Sequence, residues 1–430
     1  MVDFQRLRFF NPFVAAAFVV AVLLCSGVGV PGNRNPFVSL CDINEATSLS
    51  GIIHSNPART SSKNYYSLDL DLLSVSSSFF SRGNSLGASG RVRILVPSEF
   101  VESNYPGKLY SRHSSPVLYE AGEKIYADGS WFSDAGCFVC SSVCSSVCSP
   151  GGSNSLSFSI SHFRALCRLS FKRLMFGWGK AGGFVLALLS GSREYCDDNL
   201  QENFRNAGLS HILALSGMHL SFFSSVFGFG SRRLFGKKYS FWARLLAMVF
   251  FVWFAGLSPS LFRALVCSLV VLVCSAVYCV DTDYLSVLSF VFLFHLCLIP
   301  QDAQSPAFVL SYGALAGILV LSDFVSCRIF SRFLPPMVSS SVSASVSAQA
   351  ATSFYCARLF GKIMPIGCIS SVVVSPMINV LMLVSFVAVI FSLVFPFLSG
   401  PFGCILNMIY FFIEKVVGLF ALVPPLSIGN

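Results

Sequence analysis

Residues 363–413 read IMPIGCISSVVVSPMINVLMLVSFVAVIFSLVFPFLSGPFGCILNMIYFFI, without one Asp, Glu, Lys or Arg. A helix that crosses about 30 Å of hydrocarbon needs about 20 apolar residues. This run is too long for one crossing, and Pro396 and Pro401 interrupt it. It therefore predicts two spanning helices with a turn between them. Outward from it, charge-free stretches recur at 206–230, 245–262, 264–280, 284–301, 303–322 and 333–357, which together predict seven to nine crossings. The chain as a whole agrees: of 430 residues, 54% are hydrophobic and 11% charged. A soluble domain carries about a quarter charged residues. A soluble globule is excluded, and the predicted class is a polytopic α-helical membrane protein.

The N-terminal third is organised differently. Residues 12–30 are uncharged and follow Arg6 and Arg8. They read as an anchor whose N-terminus is cytoplasmic by the positive-inside rule, or as a signal peptide, with the volume of apolar sequence that follows favouring an uncleaved anchor. Between 31 and 150, Ser, Asn, Gly and Pro rise and apolar residues come in short alternating runs, as in Tyr66-Ser67-Leu68-Asp69-Leu70-Asp71-Leu72 and Arg91-Val92-Arg93-Ile94-Leu95-Val96. Glu120 to Phe132 reads as turn, strand, turn, strand. The expectation is a small β-rich barrel or sandwich on the outer face. Residues 151–192 form a third region, where Arg164, Arg168, Lys172 and Arg173 followed by the short apolar Ala181–Ser190 predict an interfacial or re-entrant amphipathic helix. Residues 193–430 make the multi-span block, and the cluster Arg232, Arg233, Lys237, Lys238 and Arg244 marks a cytoplasmic loop.

Net charge of +9 has two readings, basic membrane loops or a path for a polyanion. Catalytic signals are sparse. The six histidines, at 54, 113, 162, 211, 219 and 295, form no zinc motif, and there is no phosphate-binding glycine loop. No cofactor and no metal is implied. Cys137, Cys140, Cys144 and Cys148 fall in a Ser-rich tract with a spacing that would make one stripe on a helix, and disulfides on an oxidising face are one reading of them.

Three constellations in the membrane block stand out. Asn206 to Leu220 carries His211, Ser216, Gly217 and His219 at the head of a span. Polar groups at membrane depth are costly and usually face a bundle interior or a wet cavity. Eight residues on one helix separate the histidines by about 80°, so both would look into one cavity, or serve as packing contacts between helices. Gly256-Leu257-Ser258-Pro259-Ser260-Leu261-Phe262-Arg263-Ala264 is a break followed by an arginine. Broken helices are tolerated in a bilayer where they are buried or line a path, and Arg263 is a candidate phosphate contact or an interfacial loop arginine. Ser305 to Gly317, including Ser311, has the small residues of close helix packing.

At these residues the chain resembles the ComEC family of competence proteins, the DNA channels of natural transformation. Gly208 to His219 resembles the family pattern G-L-x-H-[IL]-L-A-[IV]-S-G-[LM]-H. Leu186 to Arg193 resembles A-x-L-x-G-x-R, with Ser190-Gly191-Ser192 where Leu-Gly-Asp is usual. Gly256 to Ala264 is similar to G-x-S-x-S-x-x-R-A, and Phe308 to Ala314 to F-x-L-S-[FY]-x-A. The resemblance covers about 165–425 and, more weakly, an extracytoplasmic OB-like region within 31–150. It implies an inner-membrane channel for single-stranded DNA, working with membrane lipid, a separate DNA receptor, an ATP-driven helicase or translocase and a separate nuclease. No H-x-D-x-D-H motif precedes Asn430, so the expected form is one without the metallo-β-lactamase-like domain, and not an enzyme. In that picture Arg263 contacts phosphate, His211, Ser216, Gly217, His219 and Ser311 line or gate the path, and Gly256, Ser258 and Pro259 form the break. Another class stays open: a membrane enzyme or transporter for a lipid-linked or small substrate, with His211 or His219 as base, or a scaffold.

Overall fold

The first described helix, α1 (Pro12–Cys25), is uncharged throughout and packs far along the chain, with Asn11 Nδ2 donating to Ser286 Oγ at 2.8 Å and Phe13 edge-on to Phe290. The computed structural model describes residues 11–25, 38–39, 43–60, 62–77, 86–105, 117–133, 136–145, 156–275, 283–330 and 335–427. Residues 26–30 of the predicted anchor lie outside these.

The β region follows as β1 (Val38–Ser39), β2 (Ala46–Ile53), β3 (Ala58–Arg59), β4 (Tyr65–Ser77), β5 (Leu86–Ser89), β6 (Arg91–Pro97), the short α2 (Ser98–Glu102), β7 (Lys124–Phe132) and β8 (Cys137–Ser145). Five of the strands close on themselves. β4 pairs antiparallel with β2 and β6, β6 runs parallel to β8, β8 is antiparallel to β7, and β7 returns to β2. Period-two alternation explains the closure. Leu68, Leu70, Val92, Ile94, Ile125 and Phe138 point inward and are buried together, while Asp69 faces Arg93 and Asp71 faces Arg91 across the register on the outside.

Two expectations change here. Glu120 to Phe132 holds one strand rather than two: Asp128-Gly129 is a bulge in β7 instead of a turn. A Cβ at Gly129 would meet the Val139 carbonyl oxygen at 2.0 Å, so glycine lets the strands approach there. Cys137, Cys140 and Cys144 lie on β8, not on a helix, because Phe138 and Val143 join the barrel core between two partner strands. Cys137 and Cys140 are buried, Cys144 is exposed, and all three are free thiols; Cys148 lies outside the described residues.

Helices then take over: α3 (Leu156–Gly177), α4 (Gly179–Ser190), α5 (Asp198–Asn206), α6 (Ser210–Leu213), α7 (Gly217–Phe235), α8 (Lys237–Ala255), α9 (Pro259–Val273), α10 (Tyr284–Leu298), α11 (Pro306–Val325), α12 (Pro336–Phe360), α13 (Gly367–Val394) and α14 (Ser399–Ala421). The 363–413 run divides where the prolines predict, at a short turn, Pro396–Leu398. Four helical segments among the described residues are long and apolar enough to cross a membrane: Lys237–Ala255, Pro306–Phe330, Gly367–Val394 and Pro396–Ala421. The apolar α4, α9 and α10 are shorter. The predicted 206–230 span is not one helix, since Ala214 is extended between α6 and α7.

The basic stretch 164–173 also differs from expectation. An interfacial helix would turn these cations to headgroups, yet Arg168 is 1% exposed and Lys172 is buried. Apolar Ile160, Phe163 and Leu166 point outward instead, Phe163 being 61% exposed. The cations turn inward because carboxylates from two other elements meet them there. The segment Ala181–Ser190, expected to be interfacial or re-entrant, is wholly buried in the helical core.

Candidate functional site: two broken helices around Arg263

The approach to α7 is built by local backbone chemistry. Gly208 sits at φ +72°, and a Cβ there would come within 2.8 Å of Gly367 Cα at the start of α13. Ser370 Oγ donates to the Ala207 carbonyl at 2.8 Å, so this turn is fixed to α13. Ser216 caps α7, and its backbone N–H donates to His219 Nδ1 at 3.2 Å. A histidine thereby fills the place that Glu or Gln takes in a capping box.

That bond also sets the tautomer. With Nδ1 accepting, the ring proton is on Nε2, and Nε2 is buried without a partner. His219 is 0% exposed while His211, on α6, is exposed. The break at 214–216 puts the two histidines on separate helices, so the angular separation of one continuous helix does not apply to them.

The second break forms as the sequence predicts. α8 ends at Ala255, Gly256 adopts φ +99°, Ser258 caps α9 by accepting from the Leu261 N–H, and Pro259 is the first helical residue. The positive φ requires glycine. Ser260 Oγ donates to the Leu215 carbonyl at 2.8 Å, which ties the start of α9 to the residue before the cap of α7.

One turn further on, Arg263 spans both breaks and α11. Nη1 donates to the Ser311 carbonyl at 2.9 Å, and the guanidinium lies over the Tyr312 ring, 5.9 Å from its centroid. Nη2 is 3.9 Å from the position of a Cβ on Gly217. That Cβ would also rest 3.4 Å from Ala264 Cβ, an ordinary contact, so crowding alone does not demand glycine at 217. Among the described residues no carboxylate lies within ion-pair distance of Arg263, and its Nε is buried without an acceptor. Arg263 thus reaches the start of a 19-residue helix at Gly217, and its Nε and His219 Nε2 are each buried without an acceptor. Buried donors without acceptors are rare, and helix N-termini attract anions.

A second polar cluster, absent from the sequence reading, joins the barrel to the helices. Arg168 Nε donates to Glu120 Oε2 at 2.7 Å, Nη2 to Ser192 Oγ at 2.8 Å, and Nη1 to the carbonyls of Phe254 and Ala255 at 2.7 and 3.3 Å. Lys172 pairs with both Glu120 and Glu194, and Glu194 accepts from the Tyr105 hydroxyl. Ser192 stands where the ComEC pattern has Asp, and it still serves as an acceptor for Arg168. The cation sits on the last carbonyls of α8, where the helix dipole favours it, immediately before Gly256.

Electrostatics make this junction sensitive to acid. Burial would push Glu120 up, but Arg168 and Lys172 outweigh it and hold the carboxyl down at about 2 against an ordinary 4.5. A depressed carboxyl contributes stability that is complete above its unfolded value and lost as pH falls through its folded value. Burial pushes neighbouring Glu123 up, opposed by His162, and the sign there is opposite: its contribution is present at low pH and fades as pH rises. Melting temperature should therefore fall between about pH 4.5 and 2 through Glu120. A Glu120→Gln protein should melt lower at neutral pH with a flatter acid limb, and an unchanged acid limb would remove Glu120 as its source.

Among the described residues no group of three or more His, Cys, Asp or Glu could hold a metal ion. Structure and sequence together describe a protein with four helices long and apolar enough to cross a membrane, in which two breaks meet at an arginine without an ion pair among the described residues. The chain belongs to the Competence protein family, whose model matches residues 188–429, more than half its length. That membership ties it to the uptake of DNA in competence. No curated protein and no solved structure matches the chain.

Proposed function

We propose that the chain is a multi-pass channel of the inner (cytoplasmic) membrane that passes single-stranded DNA, with its N-terminus in the cytoplasm and residues 31–150 outside. The observation that carries this is the pair of buried donors without acceptors, Arg263 Nε and His219 Nε2, around the N-terminus of α7. A phosphate offers the acceptors they lack, and broken helices aim their positive ends at anions in membrane transporters. Ser216, Gly217 and Ser311 belong to this site. His211 stands apart from it.

The barrel supports the same reading. Its closed strand order, β2-β4-β6-β8-β7 with one parallel pair and α2 between β6 and β7 along the chain, supports reading it as an OB-like domain. Driving force and strand removal come from partners: a DNA receptor, an ATP-driven helicase or translocase, and a separate nuclease. An enzymatic reading is weaker, because His219 Nδ1, the ring's acceptor nitrogen, is already engaged by its own helix cap. In cells lacking the chain, labelled duplex DNA should still bind the surface while labelled single strand no longer reaches the cytoplasm. Undiminished arrival overturns the proposal, as does turnover of a lipid-linked substrate by the purified protein without DNA.

A further inference from the structure

His295 and Asp302 belong to none of the motifs above, yet His295 packs on the residue before Arg263 and Asp302 holds His295. His295, on α10, is fully buried, with Nε2 3.0 Å from Asp302 Oδ2 and Nδ1 3.2 Å from the Tyr312 hydroxyl. Phe262, the residue before Arg263, packs on the imidazole with centroids 4.4 Å apart. Asp302 sits in the turn Pro300–Gln304 with its side chain 28% exposed. Ionisable groups at membrane depth are expensive to keep and usually serve the function. The titratable and charged groups around His295 are Asp302 on that turn, Tyr312 on α11, and Arg263 and Cys267 on α9; described α1 contributes none with a charge.

The connection to Arg263 is direct. A carboxylate accepts the Nε2 proton, which leaves Nδ1 to accept from the Tyr312 hydroxyl. That bond, the shorter of the two contacts of this hydroxyl, whose other is the Val291 carbonyl at 3.4 Å, holds the tyrosine ring whose face carries the Arg263 guanidinium, and the adjacent Ser311 carbonyl takes Nη1. Two neighbouring residues of α11 thus hold the guanidinium while Nε stays free.

We propose that His295 is a positioning residue, held by Asp302, that sets Tyr312 and through it the orientation of Arg263 on the DNA path. It rests on the reading of Arg263 as a phosphate contact, and its test separates the two.

His295 can be replaced by Asn, whose amide reaches the Nδ1 position, by Gln, whose amide reaches the Nε2 position, and by Ala. Each full-length variant is compared with wild type at matched membrane content. Cytoplasmic arrival of labelled DNA should fall about tenfold in Ala and Gln, the scale of one lost hydrogen bond, while Asn stays near wild type. Alkylation of Cys267, one helical turn from Arg263 and read by peptide mass spectrometry in purified protein, should speed up in Ala and Gln but not in Asn. Tyr312→Phe, which removes only the hydroxyl, should label like Ala. A role in filling space predicts the reverse order, with the larger Gln closer to wild type than Asn. That order, or equal Cys267 rates in all variants, overturns the proposal. If Arg263→Ala leaves DNA arrival unchanged, the phosphate reading fails, and the Cys267 rates still decide the positioning role.

Discussion

Arg168→Met should destabilise the protein by about 3–5 kcal/mol, the usual cost of removing one partner from a buried ion pair. The methionine would fill most of the volume but take this donor from Ser192 and the Phe254 and Ala255 carbonyls and leave Glu120 with Lys172 alone. Arg168→Lys keeps the charge and still falls short, because an ammonium cannot spread its donors over four acceptors as a planar fork does. Melting of the detergent-solubilised protein reads the effect. The double variant Arg168→Met with Glu120→Gln should recover part of the loss, since Lys172 then faces one carboxylate, Glu194, instead of two. Strict additivity of the two single losses would mean that Arg168 and Glu120 do not act as a pair.

Arg263→Ala should reduce delivery of labelled DNA to the cytoplasm by about ten- to a hundredfold, corresponding to a charge-assisted contact of about 1.5–3 kcal/mol. Its effect on stability should be small by comparison. The residue closes no ion pair among those described, and its described hydrogen bond goes to a main-chain carbonyl. Lysine at 263 should restore part of delivery as a point charge, without replacing the Nε donor. A stable, membrane-resident Arg263→Ala protein with full delivery would remove the arginine from the path.

What could be read from sequence divides along the range of the chemistry. The breaks at Gly256-Ser258-Pro259 and at Pro396 follow from glycine and proline themselves, whose backbone preferences need no tertiary partner. The inward strand faces were equally legible, because Leu68, Leu70, Val92 and Ile94 alternate with charges. The period-four cations 164, 168 and 172 were visible too, but not their destination. Glu120 is 48 positions from Arg168 and Glu194 is 22 from Lys172, so only folding shows that the cations turn inward. His211 and His219 misled for another reason. Their angular relation assumed a continuous helix, and the cap formed between Ser216 and His219 starts a new one. The cysteine spacing in the Ser-rich tract suited a helix, and pairing with β6 and β7, which that local period does not show, made it a strand.

His295, Asp302 and Tyr312 escaped because each is unremarkable alone. A histidine in an apolar run, an aspartate at its end and a tyrosine in a small-residue helix come together only when the turn at 300–304 folds α10 back against α11.

The central claim is that a DNA strand passes Arg263 on its way across the membrane. It is tested most directly by placing a photo-activatable cross-linker at Ser311, whose carbonyl holds the guanidinium, and irradiating cells during uptake of strand-labelled DNA. Cross-links to one strand are expected, and their loss in an Arg263→Ala background. Cross-links at an outer-face barrel position but none at Ser311, while DNA still arrives in the cytoplasm, would contradict it.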